Sequence, residues 1–429
     1  MDNLLVITGV FLLVLFSGIP VVYGMILTAA TYFFILNDNI PATLIAQRSI
    51  GQLSESFTLL AVPLFLLAGN LLNASDMTRR LVAFAVALVG HIRGGLGHAV
   101  VVANVVMSGM SGSATSDAAG IGAIMIPSLK KAGFKPAYAA ALTASAATLG
   151  PIIPPSIAMV LYASLANVSL GRLLLAGFIP GVVMALFLMA DIYFSRASAG
   201  VATVPFDWRT LRSTAKDAIL CLIMPAIILG GMFGGVYTPT EGAAAAVFYV
   251  LAIGLFVYRS LTPASIFQAL KESARMTGGV LIIVAAASTV SWVMVVEQAG
   301  AVLKNLFVPL QGNPSVTLLS IATMTLILGT AMEETTMLVL MTPILVPIAM
   351  QAGIDPVHFG LVFVFATMLG LITPPVGITM FITCRIADVT VNQFTRAVIR
   401  PFLALVFALV VCVLWPDLVL FLPRAVMGH

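Results

Sequence analysis

The chain has 429 residues, 61% hydrophobic and only 8% charged, with mean hydropathy +1.13 and a formal net charge of +4. A soluble chain carries about a quarter charged residues, so this composition excludes a water-soluble globular protein. The small, dispersed positive charge argues against a nucleic-acid partner. Three scattered cysteines without CxxC pairing give no basis for a disulfide framework or a cysteine metal site.

In chain order, MDNLLV has no basic n-region and its apolar stretch runs past Gly18, which argues for a first span rather than a cleaved signal. Blocks such as LAVPLFLLAGNLL from Leu60 and FLALVFALVVCVLW from Phe402 approach the ~20 apolar residues that a crossing helix needs. Amphipathic stretches fall around Ala42–Ser56 and Pro263–Met276. Pro63, Pro180 and Pro225 read as kinks, and His91 and His98 as locally bonded residues beside a Gly-rich turn. GGLG from Gly94 has no following GK[ST], so no phosphate loop is read there.

An internal duplication organises the chain. IPSLKKAGFKP (Ile126–Pro136) matches VPIAMQAGIDP (Val346–Pro356), and LGPIIPP (Leu149–Pro155) matches LGLITPP (Leu369–Pro375), always 220 residues later. Weaker similarity extends the offset to Pro20–Leu36 and Phe57–Asn73. The matched loop has Lys130, Lys131 and Lys135 in the first half but Met350, Gln351 and Asp355 in the second. Lys and Arg favour cytoplasmic loops, so the copies read as oppositely oriented, with both termini outside. Arg79, Arg80, Arg93, Arg196, Arg209, Arg212, Lys216, Arg259, Lys271, Arg275, Arg385, Arg396 and Arg400 fit this threading; Arg48, Arg172 and Lys304 do not.

Each half has two interruptions. Ser108–Gly120 and Leu328–Met337 have short apolar flanks and read as tips of re-entrant hairpins. GPIIPPS (Gly150–Ser156) and GLITPPVG (Gly370–Gly377) read as breaks inside crossing helices. Proline supplies no N–H, so a carbonyl one turn upstream loses its partner, while glycine lets the backbone leave helical dihedrals. Irregular backbone at bilayer depth survives only where it lines something polar. The exposed carbonyls suit a cation, and the N–H groups of the following half-helix suit an anion.

The expected fold is therefore an all-α polytopic membrane protein with two inverted-topology repeats. The first, 1–200, contains a hairpin at about 94–131 and a broken helix at about 136–167. A cytoplasmic linker at 201–216 leads to the second, 217–429, with a hairpin at about 313–351 and a broken helix at about 356–386.

GSATSDAAG, KKAGFKPAYAAALTASAATLGPIIPPSIAMVLYA and the preceding VGHIRGGLGHAVVVANVVMS resemble the large membrane subunit of tripartite ATP-independent periplasmic (TRAP) transporters, over essentially the whole chain. The resemblance implies an elevator-type secondary transporter in the cytoplasmic (inner) membrane of a bacterium or archaeon. It would take up an organic acid such as a C4-dicarboxylate or sialic acid, with sodium as coupling ion and no other cofactor. It implies two partners: a periplasmic substrate-binding protein and a small four-helix membrane subunit, the latter expected as a separate polypeptide.

Family pattern and repeat together give candidate sites. One sodium would lie among Gly109, Ser111, Ser113, Gly150, Ile153 and Ser156. A second would lie among Gly329, Ala331, Glu333, Gly370, Thr373 and Val376. Most ligands would be main-chain carbonyls. Substrate would touch Ser113, Thr115, Ser116, Asp117, Thr335 and Thr336, with Pro154 and Pro374 shaping the cavity. Asp117 has an alternative as N-cap of the returning arm. Glu333 and Glu334 are read as tip cap, proton carrier or cation ligand. Other function classes are a standalone ion-coupled transporter or antiporter, and an intramembrane serine protease built on Gly109-Met110-Ser111-Gly112. The second copy, Gly329-Thr330-Ala331-Met332, lacks the nucleophile. The chain is not expected to be an enzyme.

Overall fold

A computed structural model of the protein describes residues 2–37, 40–41, 43–198, 200–299 and 313–428; Ala42 and Lys304 lie outside them. The described secondary structure is helical throughout, without strands. Among the described residues, seven helices are long and apolar enough to cross a membrane.

The first half runs through Asp2–Phe16, Val21–Thr31 with a π-turn at Tyr32–Leu36, Thr43–Glu55, Ala61–Ala74 and Met77–Val89. A helical hairpin (Gly95–Ser111 and Ala114–Lys131), a broken helix (Pro136–Ala147 and Ile157–Ala166) and Leu170–Phe194 follow. The second half runs through Trp208–Phe233, Pro239–Ala252 with a π-turn at Ile253–Val257, and Pro263–Val296. Its hairpin is Pro314–Gly329 and Glu334–Gln351, and its broken helix is Pro356–Gly370 and Ile378–Ala387. Val391–Leu414 and Pro416–Met427 close the chain. The returning hairpin arms, Ala114–Lys131 and Glu334–Gln351, are 220 residues apart at both ends.

The hairpins and broken helices of the two halves pack reciprocally. Ile378–Ala387 lies against Ala114–Lys131 and Pro136–Ala147, while Ile157–Ala166 lies against Glu334–Gln351 and Pro356–Gly370. Tyr162 joins the halves: its hydroxyl donates to the Pro356 carbonyl at 2.7 Å, and its ring packs on Phe359, Phe363 and the bare face of Gly360. Lys130 Nζ donates to the Ala387 carbonyl at 3.0 Å, closing a helix C-terminus. In hydrocarbon, helices associate through close packing of small residues. Gly177 and Gly181, four residues apart on Leu170–Phe194, receive the Ile152 carbonyl and the Ile153 side chain of the first break.

Three features differ from the sequence reading. The tip assigned to Ser108–Gly120 is almost all helix; only Gly112 and Ser113 leave it, because Ser108 satisfies its own helix by donating to Asn104 O at 2.6 Å. The hairpin arms are accordingly 16 to 18 residues long rather than short. The amphipathic stretch Pro263–Met276 is continuous with the next span in one 34-residue helix, whereas its counterpart Thr43–Glu55 is separated from Ala61–Ala74 at Ser56. The linker 201–216 is extended only to Asp207. There Asp207 caps Trp208–Phe233 by accepting from the Arg209 and Thr210 amides. Hydrogen bonds from the Thr210 hydroxyl and these amides hold its carboxyl below the ordinary aspartate range.

Candidate functional site

The first tip turns at Gly112, whose φ of +61° is the left-handed region that glycine adopts without a steric penalty. Ser113 then caps Ala114–Lys131, accepting from Ser116 N at 3.5 Å. Asp117 sits in the first turn of that helix and is not the N-cap. Ser111 Oγ donates to Asp117 Oδ1 at 2.5 Å. The residue is fully buried, and its second oxygen, Oδ2, has no hydrogen-bond partner. That oxygen faces Gly150: a Cβ built there would lie 2.7 Å from Oδ2 and 3.2 Å from the Ser113 carbonyl carbon. Glycine at 150 thus lets the break approach the Asp117 carboxyl.

The first break leaves helical geometry after Ala147 and resumes at Ile157, where Ser156 is the N-cap. Ser156 Oγ accepts from Met159 N and donates to Pro151 O at 2.5 Å. Ile157 N reaches across to the tip carbonyl of Gly112 at 3.3 Å. A Cβ at Gly112 would meet the Pro155 carbonyl at 2.7 Å, so tip and break are in close contact. Among the described residues, the Ile153, Pro154 and Pro155 carbonyls accept no hydrogen bond.

The tip is also held by the surrounding spans. Gly109 lies against the Pro225 ring, where a Cβ would be 2.8 Å from two ring carbons, and Gly69 lies against Ser111. Asn73 Nδ2 donates to Ser116 Oγ at 2.8 Å. Thr115 hydrogen-bonds Ser113, Oγ to Oγ at 3.0 Å.

The second copy has the same plan. Val376 N donates to the tip carbonyl of Thr330 at 3.2 Å, and Gly370 abuts the Gly329 carbonyl. Pro154–Pro155 and Pro374–Pro375 are both cis. Thr373 donates to Gly370 O at 3.0 Å and Thr379 to Leu371 O at 2.6 Å. Glu333 occupies the N-cap position of Glu334–Gln351 without a side-chain cap bond, and Thr336 Oγ1 donates to it at 3.4 Å. Glu334 Oε2 is a buried oxygen without a partner. Thr335 and Thr336 are buried, whereas Ala331, Thr373 and Pro374 are half-buried and Val376 is 36% exposed.

The structure therefore gathers Ser111, Ser113, Asp117, Gly150 and the break carbonyls in one place, and Gly329, Thr330, Gly370 and Val376 in another. Sequence reasoning missed Asn73, Gly177 and Gly181, although the glycine pair spaced i, i+4 was a readable signal. It also missed Arg48, marked only as a cation out of the charge pattern. Arg48 stacks over Trp292 at 5.8 Å and lines a cavity of about 470 Å³ with Gln47, Gln52, Ser288 and Pro343. Ser111 pairs with Asp117, not with the histidine that the protease reading called on as base. Among the described residues no group of three or more His, Cys, Asp or Glu is placed to hold a metal.

Residues 8–418 match the family model described as "Tripartite ATP-independent periplasmic transporter, DctM component". The chain belongs to the TRAP transporter family, as a DctM-type large permease component. It is 39% identical over 416 residues to the sialic acid TRAP transporter large permease protein SiaM of Vibrio cholerae, covering 97% of each chain. It is 37% identical over 374 residues to the C4-dicarboxylate TRAP transporter large permease protein DctM of Pseudomonas aeruginosa, covering 87% of this chain and 88% of that protein. The fold is similar to that of the YdaH transporter of Alcanivorax borkumensis, with TM-score 0.59 at 16% identity over 87% of this chain and 88% of that one. This TRAP permease is a multi-pass membrane protein.

Proposed function

We propose that the protein is the large permease subunit of a sodium-driven importer of an organic acid, delivered by a periplasmic substrate-binding protein and supported by a small four-helix membrane subunit. The substrate class rests on relatives named for sialic acid and C4-dicarboxylates, both carboxylates. The coupling ion rests on Asp117. An unpaired carboxylate oxygen buried at hydrocarbon depth costs several kcal/mol unless a cation or proton meets it. Here it faces the glycine of a break whose carbonyls are bare, an oxygen-rich setting suited to a hard monovalent ion. Carbonyls of 153–155, Ser111 and Asp117 would hold the first ion; the Gly329–Gly370 approach would hold the second, with Glu334 nearby. Substrate would sit between the tips, beside Ser113, Thr115, Ser116, Thr335 and Thr336.

The mechanism we infer is an elevator. The reciprocally packed hairpins and broken helices move as one body against the other spans, with the Lys130-rich end cytoplasmic and both termini periplasmic. Small residues at the boundary support sliding: Gly69 against Ser111, Gly109 against Pro225, and Gly120 against Asn73. The Asn73–Ser116 bond across this boundary would have to break in each cycle.

The test is uptake of radiolabelled sialic acid and succinate by proteoliposomes holding both membrane subunits and the cognate binding protein. Replacing external sodium with choline should reduce uptake to background. Uptake unchanged in choline would refute sodium coupling, and robust uptake without the binding protein would refute the tripartite scheme.

A further inference from the structure

At the end of Ala114–Lys131 opposite the first tip, the ends of several helices surround a second cavity of about 730 Å³. Lys130, Lys135, Arg196, Arg396 and Arg400 line it, against a single lining carboxylate, Asp388. Two of the five cations are engaged: Lys130 holds the Ala387 carbonyl, and Arg400 pairs with Asp191 at 3.1 Å. Lys135, Arg196 and Arg396 have no ion pair or hydrogen bond among the described residues, and all three are exposed. Pro136–Ala147 begins at this cavity without a side-chain cap, so the positive end of its dipole adds to the field. Tyr138 lines the same wall and is 5% exposed. Three unpaired cations beside an uncapped helix start give this cavity a net positive lining.

The flank of the cavity says which anion. On Val391–Leu414, Ile399, Leu403 and Phe407 follow Arg396 at steps of three or four residues, so they share its face. They are 54%, 47% and 61% exposed. From Arg396 to Phe407 the helix rises about 16 Å, the hydrocarbon depth of one leaflet. On the neighbouring span, Phe194 is exposed just before Arg196. Cations at headgroup level above an unbroken apolar track fit a phospholipid, and basic pockets between transmembrane helices bind anionic headgroups.

The geometry points to a site for the phosphate of an anionic phospholipid, with the headgroup among Lys135, Arg196 and Arg396 and one acyl chain along Ile399, Leu403 and Phe407. None of these residues belongs to the tips or breaks. By occupying a cavity between Lys130–Tyr138 and Ala387–Arg400, the lipid would brace the packing of the first hairpin on the second broken helix.

Native mass spectrometry of the detergent-purified full chain, titrated with dioleoylphosphatidylglycerol and separately with dioleoylphosphatidylcholine, tests the proposal. Phosphatidylglycerol should bind the tighter of the two. Each exposed cation removed should weaken it about fivefold, and R196Q/R396Q together about 30-fold. L403S/F407S should weaken the lipid without changing the response to inorganic phosphate. Equal binding of the two lipids, or wild-type phosphatidylglycerol affinity in R196Q/R396Q, would overturn the site. Tight inorganic phosphate binding that phosphatidylglycerol does not compete would overturn the lipid assignment. The single variants R196Q and R396Q alter exposed side chains, so folding does not obscure the result.

Discussion

The two hairpin–break units share one backbone plan but differ in closure. In the first, every residue from Gly150 to Ser156 is buried, and the tip is clasped by Gly69, Asn73 and Pro225 from the surrounding spans. In the second, Thr373 and Pro374 are half-buried, Val376 is exposed, and the tip residue Thr330 is partly open. The polar content differs in parallel: one carboxylate held by a serine in the first, two adjacent glutamates in the second. Duplication fixed where the backbone opens; the side chains around each opening decide what it binds and how tightly it shuts.

The largest expected effect separates the two carboxylates. Asp117→Asn removes the charge facing Gly150 and should weaken apparent sodium affinity in uptake about 100-fold. Glu334→Gln, at the more open tip, should cost about tenfold or less. Equal losses would erase the proposed difference. Next come the twin glycines 220 residues apart. Gly109→Ala places a methyl 2.8 Å from the Pro225 ring and should reduce uptake about tenfold. Gly329→Ala meets its neighbours at 3.6 Å or more and should leave transport near wild type. Gly150→Ala should impair as Gly109→Ala does, because its methyl would lie 2.7 Å from Asp117 Oδ2. Arg48→Gln, in a cavity that Leu165 and Pro343 also line, should raise the KM for an anionic substrate two- to fivefold without changing kcat, the signature of lost electrostatic attraction. The smallest effects are expected of Ser113→Ala and Thr336→Val, each within about fivefold in KM.

Much of this was legible in the sequence. Pro154-Pro155 and Pro374-Pro375 announced the breaks because proline removes a donor wherever it sits, and the constant offset exposed the repeat without any structure. The helical extent of the first tip was not legible. Ser108 and Ser111 read as loop residues, yet each finds an acceptor, one turn back for Ser108 and across the turn for Ser111. Asp117 was recognised as a candidate but left open as a cap, because only the tertiary approach of Gly150 shows which oxygen is unpaired. Lys130 read as a topology charge; its bond to Ala387 joins residues 257 apart and has no local signature. The continuity of Pro263–Val296 was not legible, because the amphipathic pattern of Pro263–Met276 reads as a separate element beside the apolar span that follows it.

Equilibrium binding of radiolabelled sodium to the purified chain in choline buffer tests the central claim without requiring the substrate to be known. Saturable binding should be seen in the wild-type protein and should be strongly weakened in Asp117→Asn, with Gly329→Ala unaffected. No saturable sodium binding in the folded wild-type chain, or unchanged binding in Asp117→Asn, would contradict the account.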